Sequence, residues 1–258
     1  MLRGLFFALV AAVSIAVTVL VMAPAQWVAS AIGRATGERV ELAEASGSLW
    51  RGQATVVLSP GREAGIARVS LPERLSWQLS PWRLATGVID LTLTHPSALL
   101  QPLRLRADLG GRVELLATTV RLPAALLVGL GAPFNTIKPG GLVSLSWQRL
   151  EVQRGRLQGD IVGEWQFATS ALTSVAPFGT YRLSAEGGFP GTRLKLVTLS
   201  GPLELTGDGT IDETGRLRLS GRARASSGAE ASTKAQLAGL VSLLGRRDGD
   251  SAILSIGN

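Results

Sequence analysis

Cysteine is absent from this 258-residue chain, histidine occurs once, at His95, and tyrosine once, at Tyr181. Without cysteine there is neither a disulfide framework nor a thiolate metal site, an absence compatible with any compartment. One histidine leaves a zinc site to carboxylates, and the 19 acidic residues show no metal-ligand spacing. A serine nucleophile would need His95 as its base, yet no Gly-x-Ser-x-Gly turn exists to present that serine. The Gly-rich stretch from Gly201 to Gly215 holds no Gly-Lys-Ser/Thr, which removes a phosphate loop. His95 itself, just before Pro96 at the end of an alternating segment, reads as a solvated strand-end residue. The expectation is a non-enzymatic protein with no metal and no cofactor.

Charge is missing from one region in particular. Gly4 to Gly33 carry no ionic side chain, and Leu5 to Ala23 are almost wholly apolar. Nineteen helical residues span about 28 Å, close to the roughly 30 Å hydrocarbon core of a bilayer. Ala23-Pro24-Ala25 resembles a signal cleavage site, but the apolar run exceeds the ~7–15 residues of a signal h-region, favouring a retained anchor. Pro24 ends that helix, and Trp27 then sits at headgroup level. Basic residues differ little between the two flanks, so the near-absence of a leading tail sets the orientation as N-terminus cytoplasmic. The expected division is an anchor at 1–25, a linker at 26–38 and a β-rich domain at 39–258 beyond the membrane.

What the chain has in quantity is alternation. Val88 to Thr94, Leu103 to Arg106, Thr192 to Leu196 and Arg216 to Ser220 place apolar residues at every second position, the period of a sheet with one buried face. Glycine pairs at 110–111, 140–141 and 187–188, and Gly207-Asp208-Gly209, mark turns or bulges. Between Leu203–Ile211 and Arg216–Arg224, a three-residue loop with Gly215 left-handed sets Ile211 opposite Leu217, Leu205 opposite Ala223 and Glu204 opposite Arg224. A register one residue away would mix the two faces. A helix is expected over Ala229–Leu244, capped by Ser226 or Ser227, and a shorter one over Pro123–Leu130. Of the 26 basic residues all but Lys138, Lys195 and Lys234 are arginine, and the net charge of +7 is scattered, as on solvated strand faces. Aromatics with arginine also suit single-stranded nucleic acid, but an anchor leading outward argues against a nucleic-acid partner.

Several phrases, taken in order, resemble protein N of bacterial type II secretion systems. Gly47-Ser-Leu-Trp50-Arg-Gly52-Gln-Ala54 is similar to a Gly-x-Leu-Trp-x-Gly-x-Ala signature of that family, and Leu75-Ser-Trp77-Gln-Leu-Ser-Pro81-Trp82 follows it. Tyr181-Arg-Leu-Ser, Leu199-Ser-Gly201-Pro202-Leu-Glu-Leu-Thr-Gly207-Asp-Gly209 and Leu243-Leu-Gly-Arg-Arg-Asp248 continue the likeness collinearly. The resemblance implies a bitopic inner-membrane protein with its bulk in the periplasm, serving export of folded proteins across the outer membrane. It implies contacts with protein C, with the secretin (protein D) and with inner-membrane lipids. The fold expected is mainly β: an N-terminal transmembrane helix, then a curved, mostly antiparallel sheet with one or two short helices. The residues to follow are Trp50, Gly52, Trp77, Trp82, Gly201, Pro202, Gly207 and Gly209, each either an interaction residue or a core tryptophan, turn or bulge. A rival reading is an AsmA-like lipid-handling protein, in which one apolar face stays open as a groove.

Overall fold

The computed structural model describes residues 7, 14, 18, 22–60, 68–131, 134–153, 156–188, 191–212 and 214–257. Most of the expected anchor, Leu5 to Ala23, lies outside them. Among the described residues, no helix is long and apolar enough to cross a membrane. The stretch expected as a linker holds a helix, α1 (Ala25–Ala35), entered directly from Pro24, whose extended backbone precedes it.

The remainder is one antiparallel sheet. Its strands are β1 (Val40–Gly47), β2 (Arg51–Leu58), β3 (Val69–Ser70), β4 (Leu75–Leu79), β5 (Val88–Thr94), β6 (Leu103–Asp108), β7 (Arg112–Pro123), β8 (Gly140–Gln153), β9 (Arg156–Thr169), β10 (Gly179–Gly187), β11 (Thr192–Ser200), β12 (Leu203–Ile211), β13 (Leu217–Ala225), β14 (Arg246–Asp248) and β15 (Ser251–Ile256). They pair in chain order except that β3 is a side branch on β2 and β15 lies between β13 and β14. Such a meander needs only short turns, and the expected hairpin is found as read: Ile211 faces Leu217, Leu205 faces Ala223, Glu204 faces Arg224, and Gly215 has φ +80°. Gly207 to Gly209 lie inside β12 rather than in a turn, because the same register carries them across to Gly221 and Leu219.

Helices are more numerous than expected. Besides α1 there are α2 (Pro81–Ala85), α3 (Phe134–Ile137), α4 (Ala231–Leu244) and a 3-10 helix at Ala124–Leu130. The start of α4 differs from the expected serine cap: Glu230 takes the N-cap place, without a side-chain cap bond. The sheet coils strongly enough for the 3-10 helix, which follows β7, to rest on β2; a Cβ at Gly129 would lie 2.9 Å from the Leu58 side chain.

Alternation along these registers slips by one residue midway along the sheet. Leu91 and Leu93 of β5 stand opposite Leu105 and Leu103 of β6, and Leu105 and Ala107 opposite Leu115 and Val113 of β7. On β7 the apolar residues then slip by one position, to Thr118, Val120 and Leu122, opposite Trp147, Leu145 and Val143 of β8. The β7–β8 ladder runs through this point without a register shift. Side chains an odd number of residues apart on one strand face opposite ways. At the same place the pairing before β7 shifts by one residue, Leu105 facing Leu115 but Leu99 facing Val120, and β8 shifts against β9 between Trp147 and Glu151, so the slip coincides with irregular backbone and Leu122 joins Val56 and Leu58 in one core. Among the described residues the core falls into three clusters, one of Leu42, Ala54 and Trp77 under α1, one of Tyr181, Leu203, Ala223 and Ala252 under α4, and one of Leu71, Ala98 and Leu126 where the 3-10 helix meets β2.

Candidate interaction surfaces

Arginine–carboxylate ladders occupy the reverse of each apolar stripe. On the first half Arg106 lies 3.4 Å from Asp90, Arg112 2.9 Å from Glu151, and Arg149 pairs with Glu114. On the second half Arg182 meets Glu164 and Arg224 meets Glu204, both at 2.7 Å. The Gln166 amide and the Arg182 guanidinium hold the Glu164 carboxyl below its ordinary range. Arg224, and secondarily Ser226, do the same for Glu204. Exposed pairs of this kind contribute about 0–1 kcal/mol each. Their effect is to commit much of the positive charge to partners within the sheet.

The sheet edges are blunted. Along β1 the Val40 N–H donates to the Thr36 hydroxyl at 3.2 Å, and a bulge follows at Glu44, where φ is +52°. The opposite edge, β14, is three exposed charged residues long. Short, charged or bulged edges discourage a partner strand. Contact by strand addition, a natural expectation for so long a sheet, finds little room here.

Three of the residues singled out by sequence meet at the first hairpin. Trp77 is buried against Gly52, its register partner, and its indole N–H donates to the Leu49 carbonyl at 3.2 Å. A Cβ at Gly52 would overlap the indole ring, so glycine there is room made for tryptophan. The Trp50 carbonyl accepts from Leu79 N–H at 2.8 Å, tying β4 to the same turn. Trp82 stands apart from this group, 84% exposed on α2. Far along the chain, Gly201 has φ +118° and packs on Gly179, and the Pro202 carbonyl accepts from Ser226 N–H at 2.7 Å. Gly207 and Gly209 leave the apolar face of β12 without side chains opposite Leu196 and Leu194. The eight residues thus divide into a knot at one hairpin, a turn and strand near the other core, and one solvated tryptophan.

His95 is not solvated: it is 4% exposed. Its Nδ1 accepts the backbone N–H groups of Ala98 at 3.0 Å and Ser97 at 3.3 Å, which makes Nε2 the protonated nitrogen. The turn before Pro96 folds the ring inward to satisfy two amides, a local bond that side-chain periodicity does not report. Glu73 lies 4.0 Å from Nδ1, but that nitrogen is already the acceptor of both amides.

An apolar space lies beneath α4. A cavity of about 330 Å³ is walled by Val143 and Trp165 of the sheet, Leu172 and Phe178 of the following segment, and Leu240 and Leu244 of α4. Its polar side chains are spent elsewhere. The Ser170 hydroxyl donates to the Ile137 carbonyl at 2.7 Å and accepts from Leu172 N–H, and Trp165 Nε1 donates to the Gly140 carbonyl at 2.8 Å. Nearby, the Tyr181 hydroxyl donates to the Leu203 carbonyl at 3.0 Å, and burial pushes its pKa up. Trp165 and Phe178 stack edge to face, 5.5 Å between centroids. Leu243, which also lines the cavity, is 69% exposed. The space offers hydrocarbon and no free hydrogen-bonding side chain, so it selects an apolar occupant. Sequence reasoning missed it, because its walls come from segments scattered between Leu127 and Leu244.

Among the described residues no cluster of three or more His, Asp or Glu side chains is placed to hold a metal ion. The fold and its surfaces define a mainly β protein built on a single long antiparallel sheet, whose distinctive features are apolar faces rather than reactive groups. The sequence model of the family described as type II secretion system (T2SS), protein N, matches residues 38–254, which run from just before β1 into β15. The chain belongs to that family and is a component of the type II secretion apparatus. Comparisons with curated proteins and with solved structures gave no match.

Proposed function

We propose that this chain is an inner-membrane-anchored, periplasmic and non-enzymatic subunit of the secretion system, working through contacts with protein C and the secretin, protein D. The observation that carries the reading is the partly bare apolar face. Leu145 and Leu183, both opposite Gly163 of β9, remain 40% and 41% exposed, and Ile89, on the other half's apolar face, 42%. Buried leucine is worth about 1.5–3 kcal/mol over exposed leucine, so a partner covering these rows gains affinity that the chain itself leaves unused. Family membership supports subunits of the same machine as those partners. Photo-crosslinkers placed at Leu145 and Leu183 in secreting cells test it: adducts with protein C or the secretin are expected, and labelling without either would refute it.

The AsmA-like lipid-handling reading is kept for one specific reason, the apolar cavity beneath α4. Phospholipid retained through purification in mild detergent, and lost when L240W fills the space, would support it. Protein free of lipid at this step would remove it.

A further inference from the structure

Three observations converge on one end of the first half of the sheet. Ala23, the last residue of the apolar run in the sequence, accepts from Leu49 N–H at 2.7 Å, and Pro24 bridges Ser48. The chain therefore enters at the β1–β2 turn. The neighbouring turns lie at the same end of the meander. Leu79 N–H reaches Trp50, Ser80 N–H reaches Asp90 at 3.0 Å, and Val88 faces Asp108. Leu109, in the β6–β7 turn, sits so close to Gly87 that a Cβ there would fall 2.8 Å from it.

These turns carry a concentration of exposed apolar side chains. Met22 is 73% exposed, Trp27 53%, Trp82 84% and Leu109 92%, with Leu84 beside Trp82. Singly exposed hydrophobic residues are ordinary on a soluble surface. A row of them at the point where a membrane-length apolar segment enters is different. Tryptophan is favoured at headgroup level and arginine beside it can reach lipid phosphate. Arg51 is exposed at the β1–β2 turn; on the neighbouring turns Arg83 lies 3.9 Å from Asp90, which Arg106 also approaches, Arg112 is paired with Glu151 at 2.9 Å, and Asp108 adds a carboxylate.

We infer that this rim is a membrane-docking surface, with Trp82 and Leu109 inserted into the phospholipid interface and the first half of the sheet standing on the bilayer by these turns. The inference rests on the proposed anchor. It goes beyond it in assigning the turns of the folded domain to the lipid surface and in fixing which end of the sheet faces away. The far end, with the His95 turn and Ser97, is then the part presented to the periplasm.

The absence of cysteine makes the test direct, because a single introduced thiol is unique in the chain. Full-length W82C, L109C, S97C and S14C are labelled with an environment-sensitive fluorophore and reconstituted in vesicles of phosphatidylethanolamine and phosphatidylglycerol, with and without nitroxide-bearing lipids. At 82 and 109, blue-shifted emission and quenching by nitroxide lipids are expected; at 97, neither. If 14 is quenched while 82 and 109 behave like 97, the docking rim is wrong and the anchor stands. If 14 is not quenched, the anchor fails and the rim with it. All three label sites in the folded domain are exposed, so the substitutions leave the fold intact.

Discussion

Strands β1–β6 and strands β10–β15 carry similar apolar stripes, yet they are covered to different depths. Over the first half α1 brings Ala25, Val28, Ala29 and Ile32 onto Ala54 and Trp77. Over the second, α4 brings Leu237 and Leu240 onto an aromatic trio of Trp165, Phe178 and Tyr181, and the two largest fully buried side chains, Leu203 and Leu237, both belong there. The first core closes around a single buried indole with a glycine against it, the second around three rings with an apolar cavity beside them.

The largest effect that would break this contrast is expected from L237A, which deletes a wholly buried side chain. A loss of about 2–5 kcal/mol is anticipated, and hydrogen exchange should show it in β10–β15 with β1–β5 unchanged. Equal loss in both halves would mean that the sheet unfolds as one unit. Next is G52A, where the new methyl meets the Trp77 ring and the Ser46 carbonyl. Overpacking there should cost about 1–3 kcal/mol, with a change in tryptophan emission, and G52A/W77L should recover part of it.

A smaller effect is expected from acid. Glu164 and Glu204 have folded-state pKa values below their unfolded ones. Their contribution is present above the ordinary carboxylate range and lost as pH falls through the folded values. E204Q should flatten that acid limb in a pH series of unfolding midpoints, with a change of about 0–1 kcal/mol at neutral pH. Smallest is W82A: solvated in the free protein, it should leave unfolding in detergent unchanged within about 0.5 kcal/mol.

How much of this was written in the chain differs by element. The hairpin at Asp212 to Arg216 was readable because a short loop and alternating charge admit one register. The helix Ala231–Leu244 was readable from its leucine spacing, though not its uncapped start. The one-residue slip of the apolar pattern was also present, as Val113 and Leu115 against Val120 and Leu122, but only a window longer than one strand segment reveals it. The Gly52–Trp77 contact was not legible, since it depends on two strands meeting across 25 residues. Nor was the burial of His95, which follows from backbone amides rather than from periodicity.

The slip of one position in β7 and β8 has a mechanical meaning. It falls where the neighbouring strands shift register against them, and there the 3-10 helix after β7 seals back onto β2 through Leu126, Leu122, Val56 and Leu58. A load applied to either half is then carried by side chains packed across that point as well as by the backbone ladder.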